Sequence, residues 1–285
     1  MTFRTILILF IIAITVDPSY ASEVDWRINK TMQLDVNPID FTISRSGKYT
    51  FVLTDTGEIM IYDAVGTLSG KIEAGKHIDK ILAGPNDNSL LVCSKKNKNT
   101  QVISFVIKKQ IDTKGSPFMG KKDAPVEVVV FSDFQCPYCS EVAPIIKELY
   151  ELNKEDIKVV YKNFPLTSIH KLAFKAATAA LAAMELESGK SEKFWEFHDR
   201  LFKQYNTMTD ESILQIAVDL GFDKAIFQEK MKDPKFTQMI QKDMQDGQKA
   251  DVNGVPAIFI NGKLQENRSL PAFQMSVDRE LTKKQ

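Results

Sequence analysis

Cysteine is scarce in this chain. Three cysteines in 285 residues exclude a disulfide-built scaffold, so each one has to be read for its own chemistry. A charge bias is missing too, since 37 Lys and Arg meet 37 Asp and Glu. Broad binding to nucleic acid or anionic lipid rests on excess Lys and Arg, so no nucleic-acid partner is expected. Histidine is limited to His77, His170 and His198, which form no ligand pair in sequence. No metal site and no cofactor are expected. After residue 21 no apolar run reaches the ~20 residues that a spanning helix needs. The apolar fraction of 44% is ordinary, which argues against disorder or a collagen-like chain. The length fits two domains at ~150 residues each.

The longest apolar run opens the chain. Ile6 to Val16 is apolar except for Thr15, with Arg4 before it and Asp17-Pro18 after it. Ser19-Tyr20-Ala21 puts small residues where a cut after Ala21 needs them, the layout of a secretory signal peptide. Residues 1–21 are therefore expected to be a signal peptide, with a short uncleaved anchor as the alternative. Export would put the mature chain where disulfides persist.

Residues 22–110 read as an all-β domain of about eight short strands. Tyr49–Thr54, Glu58–Asp63, Ser89–Ser94 and Thr100–Ile107 alternate with period two. Turn signals such as Ser46-Gly47, Thr56-Gly57 and Gly84-Pro85-Asn86 separate them. The pattern recurs at a spacing near the ~40–45 residues of a propeller blade. Ser44-x-x-Gly47-Lys48-Tyr49 and Gly57–Asp63 look similar to bacterial propeller repeats. Two blades cannot close a propeller, so open edges would need cover. A small β-sandwich is the competing reading. Cys93 alternates with apolar neighbours here and reads as a buried core thiol.

Residues 111–122, rich in Gly, Pro, Ser and Lys, read as a linker. Residues 123–285 form the second domain. Ala124 to Phe131 is a β-branched apolar run, as expected of a strand buried on both faces. A helix, a strand at Ile157–Asn163 and long helical periodicity over about 168–250 follow. Strand Ala257–Asn261, a further strand and a helix at Leu270–Thr282 close the chain. This order is α/β with an inserted helical unit.

The chemistry lies in Phe131-Ser-Asp-Phe-Gln-Cys136-Pro-Tyr-Cys139. The C-x-x-C joins a strand end to a helix start. Unpaired N–H groups and the helix dipole at that place stabilise an anion, which makes the Cys136 thiol more acidic. Pro137 suits an early helical position. Cys139, about one turn on, is close enough to form a disulfide or to attack a mixed disulfide. A zinc half-site would need a second C-x-x-C or a His pair, and a purely structural four-residue loop gains little chain entropy.

Gly254-Val255-Pro256-Ala257 places a proline just before an apolar strand and an Asn261-Gly262 turn. With Cys136-Pro137-Tyr138-Cys139, this order resembles the thioredoxin superfamily, in its DsbA-like branch. Pro144 matches the proline inside the first helix of that branch. The segment 168–250 matches its inserted helical domain, with Phe164-Pro165-Leu166 just before it and His170-Lys171-Leu172-Ala173 and Phe194–Phe202 within it. The resemblance implies a thioredoxin-like fold with a helical insertion. It makes Cys136 an exposed nucleophile and Cys139 its buried resolving partner. A cis Pro256 would face them, and the Val255 backbone would pair with an extended substrate. Two positions depart from the family. Val130 stands where a buried acid is usual, leaving Asp133 or water to handle the Cys139 proton. Tyr138 stands where DsbA has histidine, which predicts a less acidic Cys136 and a couple between those of thioredoxin and DsbA, about −270 to −120 mV.

These residues point to an exported or periplasmic thiol:disulfide oxidoreductase that acts on reduced or misfolded client proteins. The family implies reoxidation by a membrane redox partner. A dimeric isomerase or reductase, with the β domain as homodimer interface, is the alternative. Another is a β domain that binds clients or a partner. His170, His198, Trp195 and the methionines Met231, Met239 and Met244 read first as packing.

Overall fold

A computed structural model describes residues 24–187 and 191–283. Residues 1–21, read as a signal peptide, lie outside the described residues. The chain divides into two compact units, with the boundary in sequence between Ile103 and Ser104.

The first unit is built from two open sheets. Strands β1 (Pro38–Ile43), β2 (Tyr49–Thr54), β3 (Glu58–Asp63) and β4 (Leu68–Glu73) form an antiparallel meander in that order. A second sheet contains β5 (Lys80–Ala83), β6 (Ser89–Ser94) and β7 (Asn99–Ser104). The central strands carry the core, with Phe51, Leu53, Ile59 and Leu90 fully buried. The sheets are tied by side chains. The Ile81 N–H donates to Asp40 Oδ2 at 2.8 Å and the Ala83 N–H to Thr42 Oγ1 at 3.2 Å, each pair 41 residues apart. The Ser46 N–H donates to Asp87 Oδ1 at 3.0 Å across the same spacing of 41. The repeat is therefore present as two blade-like meanders, the second with three strands. They form neither a closed barrel nor a propeller among the described residues. Cys93 is only partly buried on β6, because its side of the short second sheet is thinly covered. This differs from the core position expected of it.

The second unit centres on a five-stranded sheet ordered β12-β11-β9-β10-β8. These are β8 (Phe118–Gly120), β9 (Val126–Ser132), β10 (Ile157–Asn163), β11 (Ala257–Ile260) and β12 (Lys263–Leu264). Strand β10 runs parallel to β9, pairing Ile157 with Val126 and Asn163 with Ser132. Strand β11 runs antiparallel to β9, pairing Ala257 with Phe131. Strand β8 corrects the linker assigned to residues 111–122. Phe118 and Met119 pair with Val160 and Val159 at the sheet edge. The Gly and Pro content there reflects tight turns rather than a spacer. Gly120 has φ +95, and a Cβ on it would lie 2.3 Å from the Ile157 carbonyl oxygen.

Period-two alternation on β9 sorts the helices into two layers. Val126, Val128 and Val130 pack with Val142, Ile146 and Leu149 of α1 (Pro137–Leu152) and Phe273 and Val277 of α7 (Leu270–Thr282). Val129 and Phe131 face the other layer. That layer is the inserted unit: α2 (Ala173–Leu186), α3 (Glu192–Lys203), α4 (Asp210–Asp219), α5 (Lys224–Lys230) and α6 (Pro234–Lys249). Helix α2 is alanine-rich and buried almost throughout, so its neighbours approach closely. Helix α6 is clamped onto β10 by Lys162, which is 1% exposed and pairs with Asp243 at 2.6 Å and Asp246 at 2.9 Å. Gly247 on α6 meets Phe164, where a Cβ would lie 2.7 Å from the ring. No helix among the described residues is long and apolar enough to cross a membrane.

Candidate active site

Strand β9 ends at Ser132 and helix α1 begins at Pro137, so the four residues between them set the site. Cys136 is the N-cap of α1, in extended backbone with φ −77 and ψ 123. Its N–H donates to the Asp133 carbonyl at 3.1 Å, and its carbonyl accepts from the Ser140 N–H at 3.1 Å. Pro137 takes the first helical position, as predicted, where no N–H is needed. Pro144 lies inside the same helix. Both cysteines of the motif are free thiols in this structure.

Cys136 is 4% exposed and Cys139 is 1% exposed. The resemblance expects an exposed nucleophile, and the structure differs. In its thiol form the Cys136 Sγ donates to the Val255 carbonyl at 3.7 Å, so the loop before β11 covers it. Tyr138, next to it on the helix, is 63% exposed. The Val255–Pro256 peptide bond is cis. The C-x-x-C and the Val-Pro pair, far apart in sequence, therefore meet.

The two thiols differ in acidity. The Cys139 thiol donates to the Cys136 sulfur and is the main reason that Cys136 falls from 9.0 to about 6. Burial opposes this, the N–H groups of Cys139 and Tyr138 assist it, and the Asp133 charge works against it. Burial pushes Cys139 well above the ordinary thiol range, and its bond to Cys136 adds to the rise. At neutral pH the outer sulfur is mostly thiolate and the inner one is a thiol.

Asp133 does not serve Cys139 with its carboxylate. That carboxylate, wholly buried, accepts from the Gln135 N–H at 2.7 Å, the Leu166 N–H at 2.7 Å and His170 Nδ1 at 2.8 Å. The first bond closes the C-x-x-C loop on itself, and the other two tie it to the segment after β10. Sequence reasoning treated His170 as packing and so missed this link. The signal was the short Phe164-Pro165-Leu166 to His170 stretch, whose carboxylate partner only the fold reveals. His198 lies, as read, among the rings of Phe134, Tyr161, Trp195 and Phe202, with centroids 4.8 to 5.7 Å away. Met231, Met239 and Met244 are partly buried against the same core. No cluster of three or more His, Cys, Asp or Glu among the described residues is placed to hold a metal ion.

Comparison with known proteins bears on this geometry. A thioredoxin family profile matches residues 112–279. Disulfide bond formation protein D of Bacillus subtilis is 30% identical over 181 residues, covering 60% of this chain and 79% of that protein. The chain belongs to the thioredoxin superfamily, in its DsbA-like branch. The crystal structure of the thiol-disulfide exchange protein alpha-DsbA2 from Wolbachia pipientis is similar to it, with a TM-score of 0.53 and 29% identity, over 58% of this chain and 87% of that one. A Na(+)/H(+) antiporter, NhaA 3, of Salinispora tropica is 34% identical over 144 residues. The chain spans only 21% of that antiporter's length.

Proposed function

We propose that this DsbA-like chain is an exported thiol:disulfide oxidoreductase that makes disulfides in client proteins with Cys136 and Cys139. The observation that carries this reading is the acidity split, with Cys136 at about 6 and Cys139 far above it. A pair that is stable as thiolate plus thiol gives up its disulfide readily. A client thiolate attacks the Cys136 sulfur, and the Cys136–Cys139 bond breaks. The electron pair goes to the Cys139 sulfur, which takes a proton. A second client thiolate then attacks the client sulfur of the mixed disulfide. The client leaves oxidised, and Cys136 leaves as thiolate. Net, two client thiols lose two electrons and two protons; the enzyme gains both electrons and, at Cys139, one proton, and the other proton goes to solvent because Cys136 stays a thiolate.

Val255 and Pro256 form the wall beside Cys136 and are proposed to hold an extended client segment by strand-like pairing. Pro137 and Tyr138 support the site by starting the helix, and Asp133 supports it by fixing the loop. Reoxidation is assigned to a membrane redox partner, and export to residues 1–21.

One feature favours a second reading, a dimeric isomerase. On β1, at the end of its sheet, Ile39, Phe41 and Ile43 are 54%, 68% and 51% exposed. An apolar edge of this kind suits a β-domain homodimer. Trapping cellular thiols with acid and then alkylating them separates the two. A mostly oxidised Cys136–Cys139 pair supports the oxidase. A mostly reduced pair, in a dimer that reactivates scrambled ribonuclease, overturns it.

A further inference from the structure

A cavity of about 80 Å³ lies behind the C-x-x-C in the second unit. Cys139, Ser132, Tyr161, Trp195 and His198 line it, together with Val130. Two buried polar atoms of these lining residues, the Tyr161 hydroxyl and Trp195 Nε1, make no well-formed hydrogen bond among the described residues, and Ser132 is the polar side chain near enough to Tyr161 to act on it. Tyr161 is only 1% exposed. Buried polar groups are nearly always paired, by protein or by water. A water needs only about 10–15 Å³ and two to four polar partners, so the cavity has room for water and polar atoms to anchor it.

The cavity touches the sulfur that most needs a proton. Cys139 is held as a thiol by burial, while Ser132 favours the anionic form of both Cys139 and Tyr161. Its other wall leads outward. His198 Nδ1 meets Asp199 Oδ1 at 3.0 Å, and Asp199 Oδ2 accepts from Lys147, which is 57% exposed. The residues of β9 that line the cavity are Val130 and Ser132, and neither carries a carboxylate. Asp133 is committed to its three donors.

We propose that this cavity holds water anchored by Tyr161 and Trp195, and that this water delivers the proton to Cys139 when the disulfide opens and removes it when the disulfide forms. Tyr161 and Trp195 are positioning residues, since they hold the carrier. The step balances. An attacking thiolate forms a bond to Cys136, the bond to Cys139 breaks, and Cys139 takes the electron pair. A cavity water gives the proton and regains one from solvent past His198, Asp199 and Lys147. The proposal rests on Cys136 and Cys139 being the exchanging pair, in whichever direction they serve clients.

The test is stopped-flow reduction of the full-length oxidised protein by dithiothreitol from pH 5 to 8, in native and Tyr161→Phe forms. Dithiothreitol needs no client, so the result does not depend on oxidase or isomerase function. General acid–base assistance is worth ~10²–10⁴-fold, and loss of one anchor is expected to slow reduction by about tenfold at pH 7. The equilibrium constant against glutathione should stay the same, because the path changes a rate and not the couple. An unchanged rate overturns the proposal. So does a rate that falls together with a shifted equilibrium constant, which would make Tyr161 a packing residue only. If Tyr161→Phe does not fold, the native protein decides. At matched dithiothreitol thiolate concentration, reduction in heavy water should be slower by about twofold or more. Equal rates in the two solvents overturn the proposal.

Discussion

Replacing Cys139 by alanine isolates the main cause of Cys136 acidity. The thiol falls from 9.0 to about 6, which is about 4 kcal/mol at 1.36 kcal/mol per unit. The hydrogen bond from Cys139 is the first cause. A bond to a charged acceptor is worth about 1.5–3 kcal/mol, or about one to two units. The N–H donors of Tyr138 and residue 139 remain in the variant. Cys139→Ala should therefore titrate at about 7–8. Cys139→Ser keeps a hydroxyl donor and should stay much nearer the native value.

Choice of assay matters, because two effects oppose each other. At pH 7 the thiolate fraction falls from about nine-tenths to between about one-half and one-tenth. Each thiolate, however, becomes more nucleophilic as its pKa rises, with a Brønsted slope of ~0.4–0.5. Over one to two units that is a gain of about threefold to eightfold, which nearly cancels the loss. An alkylation rate at pH 7 would move little and would mislead. Thiolate absorbance against pH, in a Cys93→Ser background, reads the pKa directly. A Cys139→Ala protein that still titrates near 6 would refute the assignment and leave the helix terminus as the cause.

The reduced protein should also show a signed pH dependence. A depressed thiol pKa adds stability that is complete above about pH 9 and is lost as pH falls through about 6. The contribution of Cys136 is about 1.4 kcal/mol at pH 7 and close to zero at about pH 5, read as the pH dependence of urea unfolding of the dithiol form. Lys162→Met leaves Asp243 buried without its cation, while Asp246 keeps Lys242 at 2.8 Å. It should cost about 3–5 kcal/mol in the same assay, and a loss under ~1 kcal/mol would mean that the clamp is not needed. Gly247→Ala drives a Cβ to 2.7 Å from the Phe164 ring and should cost about 1–3 kcal/mol. Asp133→Asn removes a charge that holds the Cys136 pKa up. The thiol should become more acidic while unfolding stability falls by about 1–3 kcal/mol, and a less acidic thiol would contradict the structure.

Local pattern carried the second unit far. Ile157–Asn163 and Leu270–Thr282 are elements with the bounds read from the sequence, because each run is long, periodic and clearly ended. The C-x-x-C was legible because its meaning depends on a helix start, which Pro137 signals. What escaped depends on tertiary partners. Strand β8 is three residues long and exists only because β10 offers an edge. His170 means little alone and gains its role from Asp133, which sits before the helix while His170 follows β10. The resemblance placed Val255 and Pro256 beside the cysteines, but not the cover that the Val255 carbonyl gives Cys136. In the first unit the repeat was legible as spacing. The ties between its sheets run through Asp40, Thr42 and Asp87, polar residues that a search for apolar alternation passes over.

The absence of histidine at position 138 bears on how the site works. In a site with a cation beside the sulfur, acidity comes from charge, acts over distance and is screened by salt. Here every group that lowers the Cys136 pKa is a hydrogen-bond donor: the Cys139 thiol and the N–H groups of residues 138 and 139. The nearby charge, Asp133, pushes the other way. Contact donors in a buried site are hardly screened, so the acidity is set by the shape of the helix start. That makes the fixed loop essential. Asp133 costs the thiolate some stability through its charge, yet its three hydrogen bonds hold the turn that aims the donors. Buried Asp133 is tolerated beside a thiolate because geometry at this site contributes more than charge.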